Sequence, residues 1–301
     1  MLQKFNEKNR QIKVYVGDRL YDRNEAKVTV FDSSVQGGDA VWEGLRVYDG
    51  KVFSLDLHLQ RLVESAKAMA FVDIPSKASI KSAIFKTLNA NGMRDGVHVR
   101  LTLTRGEKIT SGMDPRLNQF GSCLIILAEW KEPVYDSAGI RLITSSTRRN
   151  SPMSIDSKIH HNNLINNILA KIEANVAGAD AALMLDIYGF ASECNGTNVF
   201  MIKKGVVYTP LADACLPGIT RRLVIDLSRR IGLDVIEKNI SLTELYNADQ
   251  VFVTGTMGEL TNVYEIDGRK IEIDESASDL LSAIEKEFHR LVKSSGEPIP
   301  A

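Results

Sequence analysis

The amino-acid sequence predicts a mixed α/β (α+β) chain built as two domains. Three observations carry that expectation. At 301 residues the chain is longer than one small core organises. Strand-like and helix-like patches alternate along its length, which argues against an all-helical bundle or an all-strand sandwich. A polar stretch holding Pro133 and Gly139, over residues 131–139, interrupts the pattern near the middle and reads as a linker. The expected organisation is an N-terminal α/β domain over 1–130, the linker over 131–139, and a larger C-terminal domain over 140–301.

The elements follow in order. Residues 26–31 (AKVTVF) read as a strand, and 52–55 as a short strand leading into a helix over 57–70. In that helix Leu59, Leu62, Ala66 and Met69 recur at spacings of three and four. A second helix over 79–90 stops at Asn91-Gly92. Residues 97–104 (VHVRLTLT) alternate as a strand, and 123–130 form another, apolar enough to be buried. Beyond the linker, 140–145 is a strand and 163–176 a helix with a strong apolar stripe. Strands are expected over 181–186 and 198–203, the latter turning through Lys204-Gly205 into 206–208. A helix over 219–231 ends at Gly232, a buried strand covers 250–254, and a closing helix covers 279–294.

Composition excludes several classes of function. The chain is 44% hydrophobic and 25% charged, with a net charge of −1, so no broad field draws it to nucleic acid or anionic lipid. The three cysteines, Cys123, Cys194 and Cys215, form no C-x-x-C pair and no zinc spacing, and suggest a reducing compartment. No apolar run reaches the roughly 20 residues needed to span a bilayer, and the first residues lack a signal-peptide core. The expectation is a cytoplasmic protein.

Four segments carry candidate chemistry. Lys158, in Asp156-Ser157-Lys158-Ile159-His160-His161, offers an amine that burial or a neighbouring cation turns into a nucleophile toward carbonyls. Glu193, in Ser192-Glu193-Cys194-Asn195-Gly196-Thr197-Asn198, sits in what reads as a polar turn between strands, where a carboxylate can pair with a protonated ring nitrogen. Leu216-Pro217-Gly218-Ile219-Thr220-Arg221 reads as a helix start, whose free N–H groups and positive dipole end suit a phosphate. Thr254-Gly255-Thr256-Met257-Gly258 is a strand-end turn of the kind that cradles an anion. His160 and His161 have no third ligand in view, so no metal site is expected.

The order of these segments is more specific than any one of them. Lys158 lies 35 residues before Glu193, and the LPGITR and TGT segments follow. Upstream, Gly38-Asp39-Ala40-Val41-Trp42-Glu43-Gly44-Leu45-Arg46 and His58-Leu59-Gln60-Arg61-Leu62 look like the G-D-x-x-F-E-G-I-R and H-x-x-R-L segments of one group. Together they resemble the class IV (fold type IV) pyridoxal-phosphate aminotransferases, especially the branched-chain amino-acid aminotransferases. The resemblance runs from about residue 14 to 290.

The resemblance implies a small N-terminal domain and a larger pseudo-barrel domain that binds pyridoxal 5′-phosphate. It implies that Lys158 holds the cofactor as a Schiff base and shuttles a proton, and that Glu193 contacts the pyridine nitrogen. Arg61, the helix start at Gly218, Ile219 and Thr220, and the turn at Gly255 and Thr256 would hold the phosphate. Asn163 stands where the family commonly has a tyrosine that reaches the phenolic oxygen. Gly37 and Trp42 fall on side-chain pocket positions, where Gly37 replaces a usual aromatic. Arg46, His98, Arg100, Arg105 and Arg116 are candidates for a substrate carboxylate, joined by the backbone N–H groups of Met257 and Gly258. The implied reaction is ping-pong transamination between an amino acid, with branched-chain or hydrophobic L-amino acids favoured, and a 2-oxo acid such as 2-oxoglutarate. A homodimer with shared active sites is also implied. A D-amino-acid or (R)-amine transaminase, an aminodeoxychorismate lyase, and a non-catalytic cofactor-binding protein stay open as alternatives.

Overall fold

The computed structural model describes residues 3–135 and 138–301; Asp136 and Ser137 of the expected linker lie outside the described residues, as do Met1 and Leu2. The chain divides into two compact units. One runs up to Glu132 and takes in Ile159–Asn163 and Val292–Ala301; the other comprises Pro133–Lys158 and Leu164–Leu291. The division is therefore not a single cut. Residues 159–163 and the last ten residues of the expected C-terminal domain group with the N-terminal unit.

The N-terminal unit begins with β1 (Lys13–Val16) and β2 (Arg19–Asp22), then α1 (Ser33–Gly37), β3 (Ala40–Tyr48), β4 (Lys51–Val52), α2 (Leu55–Ala68), α3 (Lys77–Ala90), β5 (Val97–Thr104) and β6 (Cys123–Trp130). On α2, Leu55, Leu59, Leu62 and Ala66 keep one buried face; on α3, Ile80, Ile84 and Leu88 do the same. The Ser76 side chain caps α3 by accepting the Ser79 N–H at 3.1 Å. Strand periodicity then sorts the long strands. Val41, Leu45 and Val47 of β3 and Val97, Val99, Leu101 and Leu103 of β5 join the helices in one core. The alternate residues Trp42, Gly44, Arg46, His98 and Arg100 therefore share the opposite face, with Gly44 paired to Arg100 and Arg46 to His98. Each large apolar side chain fully buried on the core face contributes about 1.5–3 kcal/mol, so register, and with it the polar face, is fixed by the core.

The second unit contains β7 (Ile140–Thr144), α4 (Ile165–Val176), β8 (Ala181–Leu185), β9 (Ala191–Cys194), β10 (Asn198–Lys203), β11 (Val206–Thr209), α5 (Ile219–Arg230), β12 (Val235–Glu237), α6 (Leu242–Tyr246), β13 (Gln250–Gly255), β14 (Glu259–Ile266), β15 (Arg269–Lys270) and α7 (Glu275–Ser294). Its sheet runs β12-β11-β10-β13-β14-β7-β8-β9, with β15 beside β14. Most neighbours are antiparallel; β7 pairs parallel with β8 and β14, and β11 with β12. Apolar side chains cover both faces. Phe200 and Phe252 stack at 5.0 Å beneath Val224 and Ile225 of α5 and Ile284 of α7. Leu142, Leu183, Val199 and Val263 meet Ile240 and Leu245 on the other side. A last short strand, β16 (Glu297–Pro298), pairs with β4, so the N-terminal sheet reads β16-β4-β3-β5-β6-β1-β2. Among the described residues no helix is long and apolar enough to cross a membrane.

Three expectations are corrected. Residues 26–31 form no strand: Val30 and Phe31 are exposed, and the segment turns into the Asp32 cap of α1. The polar stretch around Glu193 is a fully buried strand, β9, whose polar side chains are satisfied by Arg149 and the Ala214 carbonyl, brought from elsewhere. The helix expected from 163 begins at Ile165 and buries its small residues, Ala170 and Ala174, while Ile165, Ile168, Leu169, Ile172 and Val176 are exposed.

Candidate active site

In the second unit one six-residue segment gathers three of the expected groups. The Asp213 carbonyl lies 3.3 Å from Lys158 Nζ. The next residue, Ala214, accepts the Ser192 hydroxyl at 3.0 Å. The Leu216 N–H donates to Glu193 Oε1 at 3.3 Å, and Gly218 opens α5. Amine, carboxylate and helix start are thus strung along Asp213 to Gly218.

Lys158 stands in a turn whose backbone is fixed by its own N–H donating to Asp156 Oδ1 at 2.9 Å. Its Nζ is 3.1 Å from the same carboxylate oxygen, and its side chain is 44% exposed. Burial is therefore not what this turn supplies to the amine. Glu193 is the opposite case. It is buried on β9, with Oε1 accepting from Arg149 Nε at 2.6 Å and Oε2 from Asn198 Nδ2 at 3.0 Å. Both side chains of the Arg149–Glu193 pair are only 7% exposed. Helix α5 has Gly218 at its N-cap in extended conformation, no side chain caps it, and Thr220 is buried in its first turn. Uncapped N–H groups at a helix start are open to an anion. Thr256, Met257 and Gly258 form the turn between β13 and β14, where Gly255 meets Thr197 and Gly258 meets the Tyr135 ring closely enough to disfavour a Cβ. The Met257 carbonyl accepts the Val134 N–H at 3.1 Å. The neighbouring Thr254 hydroxyl is buried and has no partner among the described residues.

In β3 of the N-terminal unit the alternation leaves one charged side chain on the core face, the fully buried Glu43. Two residues of α2 reach it. Arg61 donates through Nε and Nη2 to its two oxygens at 2.7 Å each, and His58 Nδ1 lies 2.7 Å from Oε2. His160 Nδ1 lies 3.2 Å from Oε1. Burial alone would raise the Glu43 carboxyl, but the charges and hydrogen bonds of His160 and Arg61 hold it well below its usual range. Burial also pushes His160 down to about 4, outweighing the opposite pull of Glu43. Arg61, expected on a phosphate, thus has its Nε–Nη2 edge committed to Glu43 and its position fixed.

On the opposite face the Arg100 guanidinium lies over the Trp42 ring, 3.4 Å from its centroid, and the His160 ring meets Trp42 at 4.1 Å, tilted by 40°. The indole N–H donates to the His161 carbonyl at 3.1 Å. Arg100 donates to the neutral Asn162 side chain at 2.9 Å, and burial lowers it to about 10. His98 is pushed down to about 3 by burial and by Lys131, Arg46 and Arg100. It faces the Gly44 position, where an added Cβ would lie 3.2 Å from its Nε2.

The candidates for a substrate carboxylate separate on this geometry. Arg105 is tied to Asp39 by two bonds and to the carbonyls of Met69 and Ala70. Arg116 is exposed and paired with Asp114. Arg46, buried, and Arg100, half-buried, are the two whose hydrogen bonds go to neutral acceptors, the Lys131 carbonyl and Asn162. Gly37 ends α1 with open space around it, and Asn163 is exposed with its N–H on His161. Sequence reading missed Arg149, Asn198 and Glu43 as site residues. The last two lie inside the quoted motifs; Arg149 carries no local signal. Cys194 and Cys215 are buried, and burial first pushes each up to about 12, which rules them out as thiolate nucleophiles near neutral pH. Among the described residues no group of three His, Cys, Asp or Glu is placed to hold a metal.

The family model for amino-transferase class IV matches residues 40–266. The chain is 56% identical over 293 residues to branched-chain-amino-acid aminotransferase-like protein 2 of Arabidopsis thaliana, covering 97% of this chain and 52% of that protein. It thus spans about half the length of that relative. A putative branched-chain-amino-acid aminotransferase of Methanocaldococcus jannaschii is 40% identical over 92% of this chain and 95% of its own. Among solved structures, the T.th. branched-chain amino acid aminotransferase complexed with N-(5′-phosphopyridoxyl)-L-glutamate superposes with a TM-score of 0.86 at 30% identity, covering 95% of each chain. The match over most of its length, on a fold of the same kind, makes this chain a member of the class IV aminotransferases.

Proposed function

We propose that the chain is a pyridoxal 5′-phosphate-dependent transaminase that moves an amino group between an amino acid and a 2-oxo acid, with a branched-chain or hydrophobic L-amino acid as donor and 2-oxoglutarate as acceptor, in a ping-pong sequence. The observation that carries the reading is the segment Asp213 to Gly218, which touches the Lys158 amine, the Glu193 carboxylate and the uncapped start of α5 in turn. This donor set fits the cofactor: an amine for its aldehyde, a buried carboxylate for its ring nitrogen, and free N–H groups with the Thr220 hydroxyl for its phosphate. When bound, the cofactor supplies a cationic ring that accepts electrons from the substrate α-carbon.

The protein's own part is positional and acid–base. Lys158 would be the base that takes the proton from the substrate α-carbon and delivers it to the carbon of the cofactor's aldehyde group, and its exposed, hydrogen-bonded amine has room to swing. Glu193 holds a proton at the ring nitrogen. Gly255 and Thr256 are proposed as further phosphate contacts, with Arg61 in the same role. Arg46 and Arg100, cations whose hydrogen bonds go to neutral acceptors, are proposed for substrate carboxylates, with His98, Met257 and Gly258 sharing that role and Trp42 and Gly37 shaping side-chain choice. Homodimerisation is part of the proposal, supported by the five exposed apolar residues on α4, a stripe that a monomer would leave in water. The three free cysteines support a cytoplasmic setting.

The test is a spectrum. Protein loaded with pyridoxal phosphate is mixed separately with L-leucine, D-alanine and (R)-1-phenylethylamine, and loss of the visible cofactor band is followed. Conversion by L-leucine, abolished by Lys158→Ala, is the expected result. Conversion by a D- or R-donor alone moves the chain to the alternative transaminase reading. Pyruvate release from aminodeoxychorismate marks a lyase. A loaded protein that converts with no donor refutes transamination.

A further inference from the structure

The Arg149–Glu193 pair is nearly dry, and a buried ion pair is a weak source of stability compared with apolar packing of the same volume. Its value lies elsewhere. Arg149 fixes which oxygen of Glu193 faces it, at 2.6 Å. Asn198 fixes the other, and the same Nδ2 group also donates to the Leu216 carbonyl at 2.9 Å. The Asn198 carbonyl oxygen then lies over Gly218, at 2.1 Å from where a Cβ would stand. Gly218 is the N-cap of α5, so the carboxylate and the helix start are joined by one side chain.

We propose that Arg149 and Asn198 are positioning residues that hold Glu193 as an oriented carboxylate in fixed register with the start of α5. The inference rests on the reading that Glu193 meets the cofactor's ring nitrogen. The cofactor ring is rigid, so its nitrogen and its phosphate need two anchors at a set separation. A frame that already has that separation spends no binding energy on rearrangement. Arg149 also makes the Glu193 oxygen a poorer place for a proton than the ring nitrogen, because a proton there would sit next to a cation. Asn198 transmits any shift of the helix start to the carboxylate.

The experiment is a double-mutant cycle read on cofactor binding rather than turnover. Glu193→Gln, Arg149→Met, Arg149→Lys and the Glu193→Gln/Arg149→Met double variant are titrated with pyridoxal 5′-phosphate. The bound ring nitrogen is followed by 15N NMR with labelled cofactor. Arg149→Met is expected to weaken binding on the order of tenfold, the scale of losing a group that orients a binding residue, and to move the ring resonance toward the unprotonated form. Arg149→Lys should recover most of both. On top of Glu193→Gln, Arg149→Met should add nothing. Equal losses in both backgrounds, or an unchanged Kd and resonance in folded Arg149→Met, would overturn the proposal. Should Arg149→Met fail to fold, Arg149→Gln carries the same test, since its effect too must vanish on top of Glu193→Gln. An unchanged resonance in Glu193→Gln would instead remove the assignment of Glu193 itself.

Discussion

His98 allows a direct check of the electrostatics on the β3–β5 face. Its cross-strand partners are Arg46 on β3 and Glu129 on β6, and burial, with the charges of Lys131, Arg46 and Arg100, pushes it from 6.5 down to about 3. The ring is neutral in the folded protein at every pH where the unfolded chain begins to protonate it. A group with a depressed folded value contributes stability that is whole above its unfolded value and is lost as pH falls toward the folded one. The loss therefore starts near pH 6.5 and continues toward pH 3, at about 1.4 kcal/mol per pH unit. Between pH 6.5 and 5 it amounts to about 2 kcal/mol. Urea unfolding of the parent protein and His98→Gln at pH 7, 6 and 5 measures it. The parent should lose about 2 kcal/mol more than the variant over that range. His98 should also hold its neutral 1H–13C NMR signature at pH 5. A His98 that titrates near 6.5, with parallel stability curves for the two proteins, would refute the reasoning.

Other consequences follow from the same geometry. Gly218→Ala places a Cβ onto Asn198 without backbone strain, since φ is −60°. We expect a loss of about 2–3 kcal/mol from overpacking and displaced hydrogen bonds, seen in urea unfolding, together with weaker cofactor binding. Glu43→Gln removes the carboxylate that Arg61, His58 and His160 face, and about 3 kcal/mol of destabilisation is expected for leaving a buried charge unpaired. Because the Glu43 carboxyl is depressed in the folded state, its contribution is present above the ordinary carboxylate value of 4.5 and disappears as pH falls below it, a loss that the variant should not show. Ile168→Glu with Ile172→Glu puts charge on the exposed stripe of α4. Sedimentation should show a smaller assembly than the parent at an unchanged far-UV spectrum; an unaltered mass would place any subunit contact elsewhere.

The sequence by itself determined the local elements whose pattern is strong and the order of the chemical segments. The α2 helix with Leu59, Leu62 and Ala66 inward, the alternating strand at Val97–Thr104, and the Gly218 start of α5 were legible because side-chain period and turn chemistry act over a few residues. The order of Lys158, Glu193, Thr220 and Thr256 along the chain, which singles them out as candidate groups, is likewise a property of the sequence. Tertiary structure alone decided what these residues touch. Polar composition made the stretch around Glu193 read as a turn; it is a buried strand because Arg149, from 44 residues away, supplies the charge that lets it be one. An apolar stripe made α4 read as a helix facing a core, yet its small face is the buried one, since periodicity marks an apolar side but not what covers it. Five candidate side chains for a substrate carboxylate looked alike in sequence. They separate once Arg105 and Arg116 have found carboxylates of their own, while Arg46, Arg100 and a neutral His98 share one sheet face. Partners of a charge are set by distances across the fold, and no local pattern encodes them.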